Sequence, residues 1–315
     1  MSLHDAAATA VHQCLGLEAG ERCLVVTDDD RRPIGRALYE AAAEVTDDAV
    51  IVQYPPGDQH GEEPSPPVAA AMLEADAFLA PTTKSLSHTR ARSDASDAGV
   101  RGATLPGITE EVFVTGLDAD YEAIGRHCAA VLEQVAGAEE IRVTAPNGTD
   151  ITVRPGERAW NDDTGMVDEP GAFSNLPAGE VFVSPESADG TYVVDGTMMP
   201  YGRLDPDQSL RFEVEDGRVT HISDDEIRGQ VEVAAESVGE DAYNLAELGI
   251  GTNVAVTDLV GSVLLDEKAA GTVHLAIGDD AGIGGDVSAP LHLDGIITEP
   301  SVFADGDPVS LPRPE

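Results

Sequence analysis

Five residues in the second half of the chain are of types that bind divalent metals. His292 and Asp294 bracket one leucine inside an alternating run. Residues two apart on a strand point to the same face. The triplet therefore predicts an imidazole and a carboxylate side by side, a nitrogen–oxygen pair suited to a divalent ion. His274 sits in GTVHLAIG, Glu180 opens an apolar run in NLPAGEVFVSP, and Glu247 lies among apolar residues in YNLAELGIGTN. A carboxylate in such surroundings is costly unless it is paired or metal-bound. Glycines around all of these motifs let the backbone approach closely. The other histidines with assigned contexts (His4, His12, His60, His127, His221) read as surface or structural side chains.

The elements that must position these residues differ between the two halves. Residues 5–15, 34–45, 67–75, 85–97 and 120–136 read as helices. Between them CLVVT (23–27), AVIVQY (49–54), AFLAP (77–81) and 102–105 read as strands. Such alternation predicts an α/β domain with a parallel sheet covered by helices, assigned to residues 1–138. No GxGxxG follows the first strand, so dinucleotide binding has little support. From about residue 139 the chain becomes sheet-rich. Asn147-Gly148 and Asp216-Gly217 each sit between strand-like runs and predict hairpins. Helices are expected near 226–238, 241–248 and 257–270, which makes residues 139–315 a mixed α+β, metal-binding domain.

Composition narrows the partners. The chain of 315 residues carries 59 acidic and 18 basic residues, a formal charge of −41. Acid at this density repels nucleic acid and anionic lipid, so neither is an expected partner. The acid is dispersed, and lysine occurs at Lys84 and Lys268 alone. Dispersed acid with little lysine is the pattern of a halophilic, archaeal cytoplasmic protein, whose self-repulsion molar salt screens. Three scattered cysteines and no signal-like start agree with a cytoplasmic location. Lys268 is placed to pair with Asp266 or Glu267 or to touch a substrate carboxylate. Lys84 and His88, with neighbouring serines, follow the AFLAP strand. There they could face a ligand beyond the sheet, or Ser85 or Ser87 could cap a helix.

Four ordered motifs, NLPAGEVFVSP, AELGIGTN, LLDEKAAGTVHLAIG and the HLD strand, resemble the metal-dependent aminopeptidases of the aminopeptidase T and aminopeptidase S family. The resemblance implies two domains, two divalent ions (Zn, Mn or Co), a homodimer and removal of N-terminal residues from peptides. It makes Glu180, Glu247, His274, His292 and Asp294 metal ligands, with Glu180 or Glu247 as general base toward a metal-activated water. The family's tyrosine, seven residues after the first histidine, is Ala281 here. A second reading takes His274, His292 and Asp294 as the two-His, one-carboxylate set of an Fe(II) oxygenase. The same superfamily includes ring-cleaving 2,5-dihydroxypyridine dioxygenases, similar in this region.

Overall fold

The computed structural model describes residues 1–314. In chain order its elements begin with α1 (Leu3–Thr9), β1 (Cys23–Asp28), α2 (Arg32–Val45), β2 (Ala49–Tyr54), α3 (Pro66–Glu74), β3 (Ala77–Thr82), α4 (Arg90–Asp97), β4 (Arg101–Pro106), α5 (Glu110–Gly116) and α6 (Tyr121–Val135). There follow β5 (Ile141–Thr144), β6 (Asp150–Arg154), β7 (Asn161–Asp163), β8 (Phe173–Asn175), β9 (Glu180–Val183), β10 (Ser187–Val194), β11 (Thr197–Met198), β12 (Gly202–Arg203), β13 (Leu210–Glu215) and β14 (Arg218–Ile222). The chain closes with α7 (Asp225–Val238), β15 (Leu245–Gly251), α8 (Val263–Asp266), β16 (Val273–Gly278), β17 (His292–Ile297), β18 (Ser301–Ala304) and β19 (Asp307–Pro308).

Two compact units result, one of Met1–Gly125 with Asp163–Ala178, the other of Arg126–Asp162 with Gly179–Glu315. The sequence texture changes once, near 138. The contacts instead divide the chain at three places, because β8 pairs in parallel with β4 and carries 163–178 into the first unit.

The first unit is an α/β layer. Its parallel sheet runs β2-β1-β3-β4-β8. β1 and β3 are buried at every residue, as strands covered on both faces must be. Leu24, Val26, Phe78 and Ala80 pack there against Val68 and Met72 of α3. Helix α4 starts at Arg90, capped by the Thr89 side chain. The expected helix from 85, capped by Ser85 or Ser87, is therefore shorter. Ser85 and Ser87 hydrogen-bond each other instead.

The second unit is sheet-rich, with one antiparallel sheet ordered β14-β13-β10-β6-β5-β18-β19 and another ordered β12-β11-β17-β16-β15-β9-β7. Both expected hairpins are present, β5–β6 and β13–β14. At the second turn Asp216 has φ 49 and Gly217 φ 76, the left-handed pair that a two-residue hairpin favours. One expected helix is replaced by a strand and another is reduced to a single turn. Residues 245–251 form β15, with every residue buried, and 257–270 keep only α8, a single turn. LAELGIG is short, apolar but for Glu247 and rich in glycine, which suits a central strand better than a helix. No helix among the described residues is long and apolar enough to cross a membrane.

Candidate metal centre

Four adjacent strands, β9, β15, β16 and β17, present one polar face. On β17, His292 and Asp294 point the same way, opposite Gly278 and Ala276 of β16. These small partners leave room for the two larger side chains. Register then aligns Glu247 with Ala276, Gly249 with His274 and Gly251 with Glu180. The space over Gly249 belongs to the imidazole, since a Cβ there would lie 2.1 Å from the His274 ring. Glu247 thus sits on a strand and not on the helix end expected from its neighbours.

The five acidic and imidazole side chains named from the sequence lie together in the second unit. His274 Nε2 is 3.1 Å from Glu247 Oε1 and 3.3 Å from Glu180 Oε2. His292 Nε2 is 3.4 Å from Glu247 Oε2 and 3.3 Å from Asp294 Oδ1. Three sets of donors have all their ligand atoms within 4.8 Å of one another: Glu180–Glu247–His274, Glu247–His292–Asp294 and Glu267–His274–Asp294. Asp294 belongs to a set with each histidine. His274 is buried, whereas the His292 side chain is 32 % exposed and marks the open edge.

Glu267 joins this cluster without having been singled out in the sequence. Its signal was slight: it adjoins Lys268 in a chain almost without lysine. Lys268 is buried, donates to Glu180, and approaches Glu267 at 2.9 Å. Asp266, its other expected partner, is engaged elsewhere. It accepts from Thr197 Oγ1 and from the Val260 and Gly261 amides. Lys84 and His88 belong to the first unit, between β3 and α4, and the cluster is built without them.

The electrostatics ask for positive charge. Four buried or half-buried carboxylates (Glu180, Glu247, Glu267, Asp294) face one ammonium. Burial pushes the Glu180 carboxyl up to about 8, with Lys268 and His274 drawing it partly back. Burial raises Glu267 as well. Burial also opposes charge on Glu247, but hydrogen bonds and charge from both imidazoles outweigh it and hold this carboxyl well below its usual range. Against the same penalty, Glu247 and Glu180 carry His274 up to about 9. Asp294 and Glu247 carry His292 well above its ordinary value.

The hydrogen bonds say the same. His292 Nδ1 lies 2.7 Å from the Asp279 carbonyl, which can only accept, so Nδ1 carries the proton. In a neutral ring the Nε2 lone pair would then point at two carboxylates. That arrangement is favourable only with a cation between them, a proton or a metal. Glu180 Oε2 and His274 Nδ1 are buried without a hydrogen-bond partner among the described residues. The donors fit a divalent ion that accepts nitrogen and oxygen ligands.

The family model for 2,5-dihydroxypyridine 5,6-dioxygenase matches residues 3–311. The chain belongs to this family. A 2,5-dihydroxypyridine 5,6-dioxygenase of Pseudomonas putida is 24 % identical over 190 residues, 55 % of this chain and 53 % of that protein. The match thus spans about half the length of that curated relative. The solved structure of 2,5-dihydroxypyridine dioxygenase from Pseudomonas putida is similar with a TM-score of 0.79 at 20 % identity, over 98 % of this chain and 96 % of that one. AmpT from Thermus thermophilus is similar with a TM-score of 0.68 at 21 % identity, over 98 % of this chain and 99 % of its own. At such identities both likenesses concern the fold, which is aminopeptidase T-like.

These findings correct the expected function. The motifs led to a peptide-cleaving hydrolase, but the family model and the curated relative both name a dioxygenase. The likeness to aminopeptidases holds for the fold and not for the activity. The cause lies in the motifs themselves. They record ligand types and spacing, and His, Asp and Glu serve a hydrolytic ion as readily as an oxygenase iron.

Proposed function

We propose that the chain is a mononuclear non-haem iron dioxygenase that opens an electron-rich dihydroxypyridine ring. The observation that carries this is the match of the dioxygenase family model to residues 3–311. The donor set supports it: His274, His292 and Asp294 supply two imidazoles and a carboxylate, the combination that holds Fe(II) in many oxygenases. When bound, Fe(II) supplies the one-electron chemistry by which ground-state dioxygen reacts with a closed-shell ring.

The protein's own groups do the rest. The Asp279 carbonyl fixes the His292 tautomer and directs Nε2 into the cluster. Glu247 touches both imidazoles, which keep it ionised. The open edge at His292 is the side from which a flat ring can enter. His274, Glu180 and Lys268 close the opposite side to water by their burial.

The test is oxygen uptake by protein loaded anaerobically with Fe(II). Uptake with 2,5-dihydroxypyridine, matched by loss of the ring's ultraviolet absorbance, is expected. Hydrolysis of unblocked dipeptides with added Zn, Mn or Co is not. Peptide hydrolysis without oxygen uptake would overturn the reading.

A further inference from the structure

The connection from β16 to β17, residues 279–291, joins the strand of His274 to the strand of His292. It begins DDAGIGGD, a stretch with few side chains that packing could hold. Of residues 279–291, Asp280 alone is buried. We infer that Asp280 is a positioning residue: its carboxylate fixes the peptide that it shares with Asp279 and so aims the His292 ring. This rests on the metal-centre reading above and names what holds one of its ligands.

The chain of contacts is continuous from carboxylate to imidazole. Asp280 Oδ2 accepts from Ser184 Oγ at 2.9 Å, from Asn244 Nδ2 at 2.9 Å and from Arg158 Nη1 at 3.3 Å. Oδ1 accepts from the Val287 amide at 2.7 Å. The Asp280 amide donates in return to the Val287 carbonyl at 3.0 Å. That N–H and the Asp279 carbonyl belong to one planar peptide, so holding the first orients the second. The carbonyl then accepts from His292 Nδ1 at 2.7 Å. Asn244 braces the other side of Asp279, since its Nδ2 also donates to the Gly278 carbonyl at 3.1 Å.

The surroundings explain why a carboxylate can serve here. A buried carboxylate is costly unless it is paired and hydrogen-bonded. Arg158 brings the opposite charge to Asp280, and Ser184, Asn244 and Val287 complete its hydrogen bonds. Two of these donors stand at strands of the cluster. Ser184 directly follows β9, which opens with Glu180, and Asn244 directly precedes β15, which carries Glu247. Asp280 thus ties the start of a glycine-rich connection to the two strands that supply these glutamates. The turn also closes over it. The Ile283 and Gly285 amides donate to the Asp280 carbonyl at 3.0 and 2.9 Å, and a Cβ at Gly285 would overlap the carboxyl group.

Magnetic resonance and metal titration test this together. The full chain is stripped with chelator in molar KCl and its imidazole N–H protons are recorded. His292→Ala identifies the His292 Nδ1–H resonance. The wild type should show it downfield and protected, and Asp280→Ala should lose it to exchange with water. Mn2+ affinity, read by equilibrium dialysis, should fall ~10–100-fold in the same variant, the range for loss of an outer-shell partner. Asp28→Ala removes a buried, hydrogen-bonded carboxylate of the first unit and controls for lost stability alone. Its resonance and affinity should match the wild type. If circular dichroism shows Asp280→Ala unfolded, Ser184→Ala removes one donor to the same carboxylate and should broaden the resonance. In whichever variant folds, an unchanged resonance would overturn the inference. So would unchanged Mn2+ affinity in Asp280→Ala, or the same losses in Asp28→Ala. No bound Mn2+ in the wild type would sink the metal reading alone, and the resonance would then decide on Asp280.

Discussion

The carboxyl end of the first unit's sheet and the polar face of the second unit's sheet both bury acid and hydroxyl groups, with opposite bookkeeping. In the first, Asp28 is buried at the end of β1 and accepts from the Asp30 and Arg31 amides and from both the amide and the hydroxyl of Thr83. Beside it Ser87, Thr104 and Asn175 close a triangle with sides of 2.6–3.0 Å. Asp28 and the three side chains of the triangle all have partners within the unit, although Thr27 Oγ1 and Arg31 Nε of that unit have no hydrogen-bond partner among the described residues. In the second unit's cluster, carboxylates meet imidazole nitrogens and one another, and Glu180 Oε2 and His274 Nδ1 lack hydrogen-bond partners among the described residues. A buried polar cluster that satisfies itself is a structural device. One that lacks cations marks a place where something else binds.

Four measurements test that contrast. The largest expected effect is on metal. His292→Ala should lower Mn2+ affinity at least ~100-fold, as loss of a direct ligand exceeds the ~10–100-fold cost of losing an outer-shell partner. Unchanged metal content under chelator challenge would remove His292 from the site. Asp28→Ala should do the reverse. It leaves buried amides without their acceptor, costs about 3 kcal/mol of stability in chemical denaturation, and leaves Mn2+ affinity as it was. A fall in affinity would show that the first region is not merely structural.

The third effect is a pH dependence that metal abolishes. An imidazole raised on folding stabilises fully below its unfolded value of ~6.5. That contribution is lost as pH rises through the folded value, about 9 for His274. Chelator-treated protein should therefore lose melting temperature between pH ~6.5 and about 9. Mn2+-loaded protein should not, because the metal replaces the protons. Parallel melting curves would mean that the cluster's charge is balanced in some other way.

Salt should disturb the comparison least. A chain at −41 gains stability as the screening length shrinks from ~10 Å at 0.1 M to ~3 Å at 1 M. Wild type, Asp28→Ala and His292→Ala should all rise, with the gaps between them nearly constant, because the acid is spread over the whole surface. A melting temperature independent of salt would remove the reading of the charge as an adaptation to brine.

Much was legible in the sequence because it is local. Period-two alternation set His292 and Asp294 on one face, and Asn-Gly and Asp-Gly marked both hairpins. Buried apolar runs separated by helices announced the parallel sheet. Glu247 was misplaced because its surroundings are apolar on every side. Period carries no information in such a run, and only pairing with β9 and β16 makes it a strand. Glu267 is marked in the sequence only as a partner of Lys268, and nothing local shows that it also lies beside His274 and Asp294.

Sequence alone determined the types of the candidate donor residues, their order and the charge of the chain, since these are properties of residues and of near neighbours. Tertiary structure decided what the residues meet. It brought β9, β15, β16 and β17 into register so that residues over a hundred positions apart share one face. It turned the Asp279 carbonyl toward His292 and seated Lys268 against Glu180 and Glu267. The reason is physical: the cost of a buried charge depends on every charge within a few ångströms, and those distances exist only in the folded chain.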